Sequence, residues 1–371
     1  MSGRLRLCIF AHSWRSDWNH GNAHFLRGLA HELTKLGHEV ACYEPEQSWS
    51  LINLLQEGER GRESLEQFKT IFSHLDVRSY GQKEPFERFA KRELRGADIV
   101  LVHEWNSPDV VNTILSLKRE FGFRALFHDT HHRAYTNPKE ILRLNLQEFD
   151  GVLAFGETLR RIYLEAFGVP RVWTFHEAAD TAHFSPISGS KQCDITWIGN
   201  WGDEERSREL EEFLIGPAIG LPSRRTVVYG VRYSPAAKAK LGSAGIQYRG
   251  YLPNLMAPRV YSESAISLHV PRKFYSNGLS GIPTIRVFEA LACGTPLLCS
   301  PWADTDGLFR KGEDYLCVPD EKAMRAEIEH LLNDDAARSQ IAANGLDTIR
   351  RRHTCAHRTQ QLLEICEELE K

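Results

Sequence analysis

Short apolar runs alternate with amphipathic stretches along most of the chain, the pattern of βα units that build a parallel sheet. Residues 6–11 predict a first strand, 12–21 a polar loop, 23–36 a helix stopped by Gly37, and 39–43 a second strand. Further strands are predicted over 98–103, 125–128, 151–155 and 171–175; the first two of these each end in a histidine. Residues 51–94 are charged and helix-like and read as an insertion covering one face. Ser, Gly and Pro then cluster over 184–192, a linker composition. After it the pattern restarts, with strands over 194–199, 226–230, 265–270, 296–299 and 315–318 and helices such as 324–332 between them. The stretch 336–370 reads as two closing helices. The prediction is an α/β protein of two doubly wound halves. In such sheets ligands bind outside the carboxyl ends of the strands, so two facing halves would share a cleft.

Length agrees with this division, because 371 residues exceed the usual size of one hydrophobic core. The net charge of −3 offers no polyanion-binding surface, so nucleic acid is not an expected partner. Eight cysteines are scattered without a CxxC pair, several inside apolar runs such as Leu7-Cys8-Ile9. They read as core thiols in a reducing compartment. No run matches a secretory signal or approaches the roughly 18 apolar residues of a membrane span. A cytoplasmic protein with no integral membrane segment is expected.

The stretch 284–296 carries the most chemistry. Thr284 is a good helix N-cap, with Ile285, Arg286 and Glu289 in the first turns behind it. Free N–H groups and the helix dipole at such an end suit a diphosphate, and Arg286 can add a bidentate contact. The same residues also describe an ordinary αβ connection with an acidic residue favoured by the dipole. A second cluster joins His128-Asp-Thr-His131-His132-Arg133 to His103-Glu104 and His176-Glu177 at neighbouring strand ends. By ligand type it fits a zinc site, a hydrogen-bonding set around a sugar, or satisfied core histidines, although the helical HExxH spacing is missing. In the loop after the first strand, Gly21 allows close backbone approach beside Asn22, and Trp14 and Trp18 either stack on a ligand or pack the rim. That loop lacks GxGxxG, which argues against a dehydrogenase.

Phe288-Glu-Ala-Leu-Ala-Cys-Gly-Thr-Pro296 resembles the donor-site signature of the GT-B glycosyltransferases, particularly the large retaining family four. Asp180-Thr-Ala-His-Phe184 with Pro186, residues 27–40, Val102-His-Glu-Trp-Asn106 and Phe127-His-Asp-Thr130 are similar to further segments of that family in the same order. His176-Glu-Ala-Ala-Asp180 and the HDTHH run look closest to its CgeB-like (spore maturation) branch. The resemblance implies two Rossmann-like domains, at 1–185 for the acceptor and 186–353 for the donor. A helix over 354–371 would return to the first domain. It implies transfer of a sugar from a nucleotide diphosphate donor, UDP by family frequency, to a hydroxyl of an unspecified acceptor, with retention and without metal or other cofactor. Arg206, Arg286 and the helix start would stabilise the leaving diphosphate, and His128 would sit against the donor sugar.

Carried over by position, Glu289 matches the glutamate that holds the ribose, and Gly199 the glycine near the donor phosphates. Asn200 stands where the family usually has arginine, and Arg206 near the expected phosphate-binding lysine. Gly250-Tyr251-Leu252-Pro253 matches the loop bordering the base. Thr284 and Ile285 complete the donor set. Gly21, Asn22, His103, His131, His132, His176 and Arg272 are assigned to sugar or acceptor. One departure stands out: Gly281 occupies the place of the first of two family glutamates, the one facing the transferred sugar. Arg272, Lys273 or Asn277 would have to supply those contacts. A binding protein that kept the fold without catalysis, and a sugar-nucleotide epimerase, are the competing readings.

Overall fold

The computed structural model describes residues 3–202 and 204–370. The chain divides into two compact units, Met1–Glu177 with Cys355–Lys371, and Ala178–Thr354. The boundary thus falls ahead of the Ser/Gly/Pro-rich stretch expected to be a linker. That stretch is packed on the second unit instead: Ile187 N–H donates to Ser262 Oγ at 3.0 Å and Lys191 Nζ to the Ser262 carbonyl at 2.8 Å.

The first unit is built on a parallel seven-stranded sheet: β1 (Arg6–Phe10), β2 (Glu39–Pro45), β3 (Asp76–Tyr80), β4 (Ile99–His103), β5 (Arg124–Asp129), β6 (Gly151–Ala154) and β7 (Val172–Thr174). Their order is β3-β2-β1-β4-β5-β6-β7. The sheet winds outward in both directions from the β1/β4 boundary, so its topological switch point lies there. The central strands are buried on both faces, as parallel strands covered by helices must be; every residue of β4 is buried.

Strand β3 was not expected. It lies inside the supposed helical insertion, between the helices Glu59–Ile71 and Phe86–Glu93, and pairs with β2 in the register Cys42↔Val77. Asp-Val-Arg-Ser-Tyr has no apolar run because only Tyr80 is fully buried in this edge strand.

The last helix, Cys355–Glu370, packs on the helix Ala23–Lys35. Arg358 Nε donates to the His176 carbonyl at 2.9 Å and Gln361 Nε2 to the Thr174 carbonyl at 2.9 Å.

The second unit carries β8 (Cys193–Ile198), β9 (Thr226–Tyr229), β10 (Gln247–Tyr248), β11 (Ser264–His269), β12 (Leu297–Cys299) and β13 (Leu316–Cys317). Their order β10-β9-β8-β11-β12-β13 puts this switch point between β8 and β11. Trp197, Ile266, Leu268, Leu298 and Ile328 are part of its core. The two-residue β10 is too short to leave a periodic signal. Among the described residues no helix is long and apolar enough to cross a membrane, and all eight cysteines are free thiols.

Candidate functional site

In the second unit the expected donor residues gather at the carboxyl ends of β8, β9 and β11. Gly199, Gly230 and Gly250 follow three neighbouring strands. Gly230 N–H donates to the Gly250 carbonyl at 2.9 Å. A Cβ on Gly230, which has φ +149°, would lie 2.0 Å from the Gly199 carbonyl oxygen. Only glycine lets these loops close on one another. Asn200 Oδ1 then accepts from Val231 N–H at 2.9 Å, and Tyr233 Oη donates to the Gly199 carbonyl at 2.7 Å. Tyr251 is buried and Leu252 half-buried in the loop beyond β10.

Arg206 is laid across the switch point. Its Nη1 donates to the Asn200 carbonyl at 3.1 Å, Nη2 donates to the Val270 carbonyl, and the guanidinium lies 5.3 Å over the Trp197 ring. From the end of β11, His269 shares a hydrogen bond of 3.1 Å with Thr284 Oγ1 through Nε2. This changes the reading of Thr284. It occupies the N-cap position with extended φ and ψ, but its hydroxyl makes no capping bond to the helix Ile285–Ala292. Turned toward His269, it leaves the first-turn N–H groups without a side-chain cap, and these are the groups an anion would use. Ile285 is buried beneath that turn.

Glu289 does not present an open carboxylate. It is 0% exposed and accepts from Asn254 Nδ2 at 3.1 Å, Tyr261 Oη at 3.1 Å and Arg286 Nη1 at 2.5 Å. Arg286 is therefore also engaged, although 29% of its side chain faces solvent. In this state Glu289 acts as the anchor that aims Arg286 and ties down the segment after Leu252. The expected contact with ribose hydroxyls requires one of these donors to move.

Gly281 has φ +91°, and a Cβ there would meet Thr305 Oγ1 at 2.0 Å and Asp306 Oδ1 at 2.8 Å. The position is closed to any side chain, and Thr305 and Asp306 fill the space a glutamate there would start from. Arg272, expected to help replace it, lies 5.4 Å over the Phe274 ring.

The first unit assembles a different constellation at its own switch point. His12 and His20 come from the loop after β1, His103 ends β4, and His128 lies near the end of β5. Ring centroids are 4.0 Å apart for His12–His20, 5.7 Å for His12–His103 and 5.6 Å for His103–His128. His20, His103 and His128 are buried, and His12 is half-buried. Burial holds all four imidazoles neutral, with His12 lowered to about 4 and His128 to about 3. His103 Nε2 meets Thr130 Oγ1 at 2.9 Å, and Asn22 Nδ2 donates to the same hydroxyl at 2.6 Å. Gly21 is half-buried beside Asn22. His12 Nδ1, His20 Nε2, His103 Nδ1 and both nitrogens of His128 are buried without a partner.

Beneath the histidines, Glu104 Oε2 pairs with Arg133 Nη2 at 3.0 Å. Asp129 accepts from Tyr163 Oη at 2.6 Å and from His131 N–H at 2.9 Å. Burial raises both carboxyls above their ordinary range. His131 stacks on His132 at 3.9 Å, and His132 Nδ1 bonds Thr136 Oγ1 at 2.8 Å. His176 lies apart from the set, donating through Nδ1 to the Phe155 carbonyl at 3.1 Å. Among the described residues no three His, Cys, Asp or Glu side chains are placed to hold a metal ion. Trp14 and Trp18 are buried, donating to the Tyr43 carbonyl and to Glu57, and pack the loop rather than open onto a ligand.

Residues 206–364 match the family described as glycosyl transferase-like, a stretch that contains Arg206, Thr284, Arg286 and Glu289. No curated protein sequence gives a match. Sucrose-phosphate synthase from Thermosynechococcus elongatus superposes over 99% of this chain and 99% of its own, with TM-score 0.67 at 14% identity. The fold is GT-B. Two other GT-B chains extend the comparison. Anabaena HepE, in complex with UDP and glucose, covers 98% of this chain and 100% of its own with TM-score 0.72 and 12% identity. An alpha-glucosyltransferase in complex with UDP and a 13-mer DNA covers 98% and 100% with TM-score 0.67 and 15% identity.

Residues not foreseen from the sequence are His12, His20, His269, Trp302, Asn254 and Tyr261. His12 and His20 carried a signal, since they flank the loop after the first strand just as His103 and His128 mark two later ones. His269 and Trp302 carried none. They meet edge-on at 6.1 Å, with His269 Nδ1 and Trp302 Nε1 buried and unpartnered, only because β11 and β12 are neighbours.

Proposed function

We propose that the chain is a glycosyltransferase whose second unit binds a nucleotide diphosphate sugar and whose first unit receives a hydroxyl acceptor. The observation that carries this reading is the helix start at Thr284. Its first-turn N–H groups lack a side-chain cap, Arg286 is aimed from that same turn, and Arg206 is fixed at the end of β11. A diphosphate placed there meets the positive end of a helix and two guanidinium groups. As the glycosidic bond breaks, negative charge grows on that diphosphate, and the same groups stabilise it. No metal is needed for this step. UDP is the nucleotide favoured, because HepE and the alpha-glucosyltransferase are both described with UDP bound. Retention rests on the resemblance to family four. The net charge of −3 argues against carrying the DNA ligand of one similar structure over to this chain. Free thiols throughout support a cytoplasmic setting.

The closed space at Gly281 favours one second reading, a GT-B protein that binds sugar nucleotides without turning them over. A panel of nucleotide sugars separates the two. Release of nucleoside diphosphate supports transfer, whereas binding without release under every acceptor supports the second reading. A changed sugar without release points to an epimerase.

A further inference from the structure

Beside the histidine cluster of the first unit stands an exposed indole. Trp105, in the loop after β4, is 42% exposed, and its ring lies 6.1 Å from that of half-buried His12 and 5.0 Å from that of His131. The guanidinium of Arg133 rests 3.8 Å from the indole centroid. An exposed, braced indole next to buried polar atoms without partners is a combination the fold does not need for its own packing. Each unpartnered polar atom costs stability unless something fills its site.

The charge balance decides what fills it. Two arginines act on these histidines, and both are tied to carboxylates: Arg27 to Asp17 at 3.2 Å and Arg133 to Glu104 at 3.0 Å. Glu104 and Asp129 lie buried just behind. An anionic ligand would find each of these cations already engaged by a carboxyl group. A hydroxyl suits the place better, because it both donates and accepts and can meet either tautomer of an imidazole. A ring with one apolar face and hydroxyls at its edge matches an indole beside a row of imidazoles.

We propose that Trp105, His12 and the buried histidines behind them form a subsite for an uncharged sugar ring, so that the acceptor is a neutral carbohydrate rather than a phosphorylated or lipid-phosphate one. The subsite deepens the glycosyltransferase reading by naming its acceptor class. Its geometry belongs wholly to the first unit and does not depend on nucleotide binding.

The test uses the full chain, a panel of methyl hexosides and pentosides, glucose 6-phosphate, and UDP, with binding followed by calorimetry and ligand-observed NMR. At least one methyl glycoside is expected to bind, and glucose 6-phosphate at least about tenfold more weakly than methyl glucoside. Trp105→Ala should weaken the glycoside about tenfold or more and leave UDP affinity unchanged. His12→Gln should retain glycoside binding that His12→Phe loses, since glutamine still offers polar atoms. The proposal is overturned if the phosphate ester binds as well as the neutral glycoside, if Trp105→Ala binds every glycoside as the parent does, or if UDP binds but no glycoside does. Glycoside binding without UDP binding would instead sink the glycosyltransferase reading and leave this subsite standing.

Discussion

Arg286 and Glu289, one turn apart on the same helix, form a 2.5 Å ion pair in which the carboxylate is wholly buried and the guanidinium is part exposed. The glutamate holds; the arginine is held. Breaking a buried pair from one side leaves an uncompensated charge, at a cost of about 3–5 kcal/mol when both partners are dry. Arg286 reaches solvent, so Glu289→Ala should fall at or below the lower end of that range, read from the shift of the urea midpoint. Glu289→Gln keeps the shape but loses the charge that aims Arg286. UDP affinity should drop about tenfold, or about 1.4 kcal/mol, by calorimetry. Unchanged UDP affinity in a folded Glu289→Gln chain would exclude this helix from the diphosphate site.

His269→Phe tests the missing cap. Without its imidazole, Thr284 Oγ1 is free to turn and cap the helix, a bond worth about 1 kcal/mol. UDP would then have to displace that cap, so its affinity should fall about fivefold while the midpoint of thermal unfolding holds or rises. Tighter UDP binding in this variant would mean that His269 obstructs the site.

Acid should destabilise this protein early. Burial lowers the pKa of His12 and His176 to about 4 and of His128 and His269 to about 3, with His20 and His103 also well below 6.5. Between those values and pH 6.5 the unfolded chain binds more protons, so stability is full above pH 6.5 and declines as pH falls below it. Each histidine contributes a slope of about 1.4 kcal/mol per pH unit in that window. Glu104, Asp129 and Asp304, raised by burial, act in the opposite sense, but they are three against these six. Urea midpoints measured from pH 7.5 down to 5 should fall steadily, and His128→Phe should flatten part of the decline. A flat profile over that range would mean that the imidazoles are charged in the folded state.

Gly281→Ala should cost about 1–3 kcal/mol from the left-handed backbone alone, plus the clash with Thr305. A second change, Thr305→Gly, removes that clash and should return part of the loss. Full recovery would show that backbone strain contributes nothing at this position; no recovery would place the damage elsewhere than the Thr305 contact. Both outcomes are read from the urea midpoint.

What the sequence revealed and what it hid separate along physical lines. The buried central strands β1, β4 and β5 announced themselves, because burial on both faces demands apolar runs. Edge strands β3 and β10 did not, because half-exposed or two-residue strands place no such demand. The donor helix was legible through Thr284, Arg286 and Glu289, whose types and spacing lie within one segment. Their actual bonds were not, since Asn254, Tyr261 and His269 reach them across loops and neighbouring strands. The histidines were visible as candidates, yet which of them meet was set by strand order. That order brought in His12 and His20 and left His176 on the Phe155 carbonyl.

The path of the chain has one more effect. The helix Cys355–Glu370 completes the first unit by covering the helix Ala23–Lys35, whose Phe25, Leu26, Leu29 and Leu33 are all buried. On the ribosome that cover is made only after the second unit. The second unit, one continuous stretch with Ala179 N–H bonded to the His353 carbonyl at 2.9 Å across its two ends, can close while the first still displays an apolar helix to the cell. A nascent chain truncated before residue 355 should therefore bind holdase chaperones through its older half, and the domain made first is the one finished second.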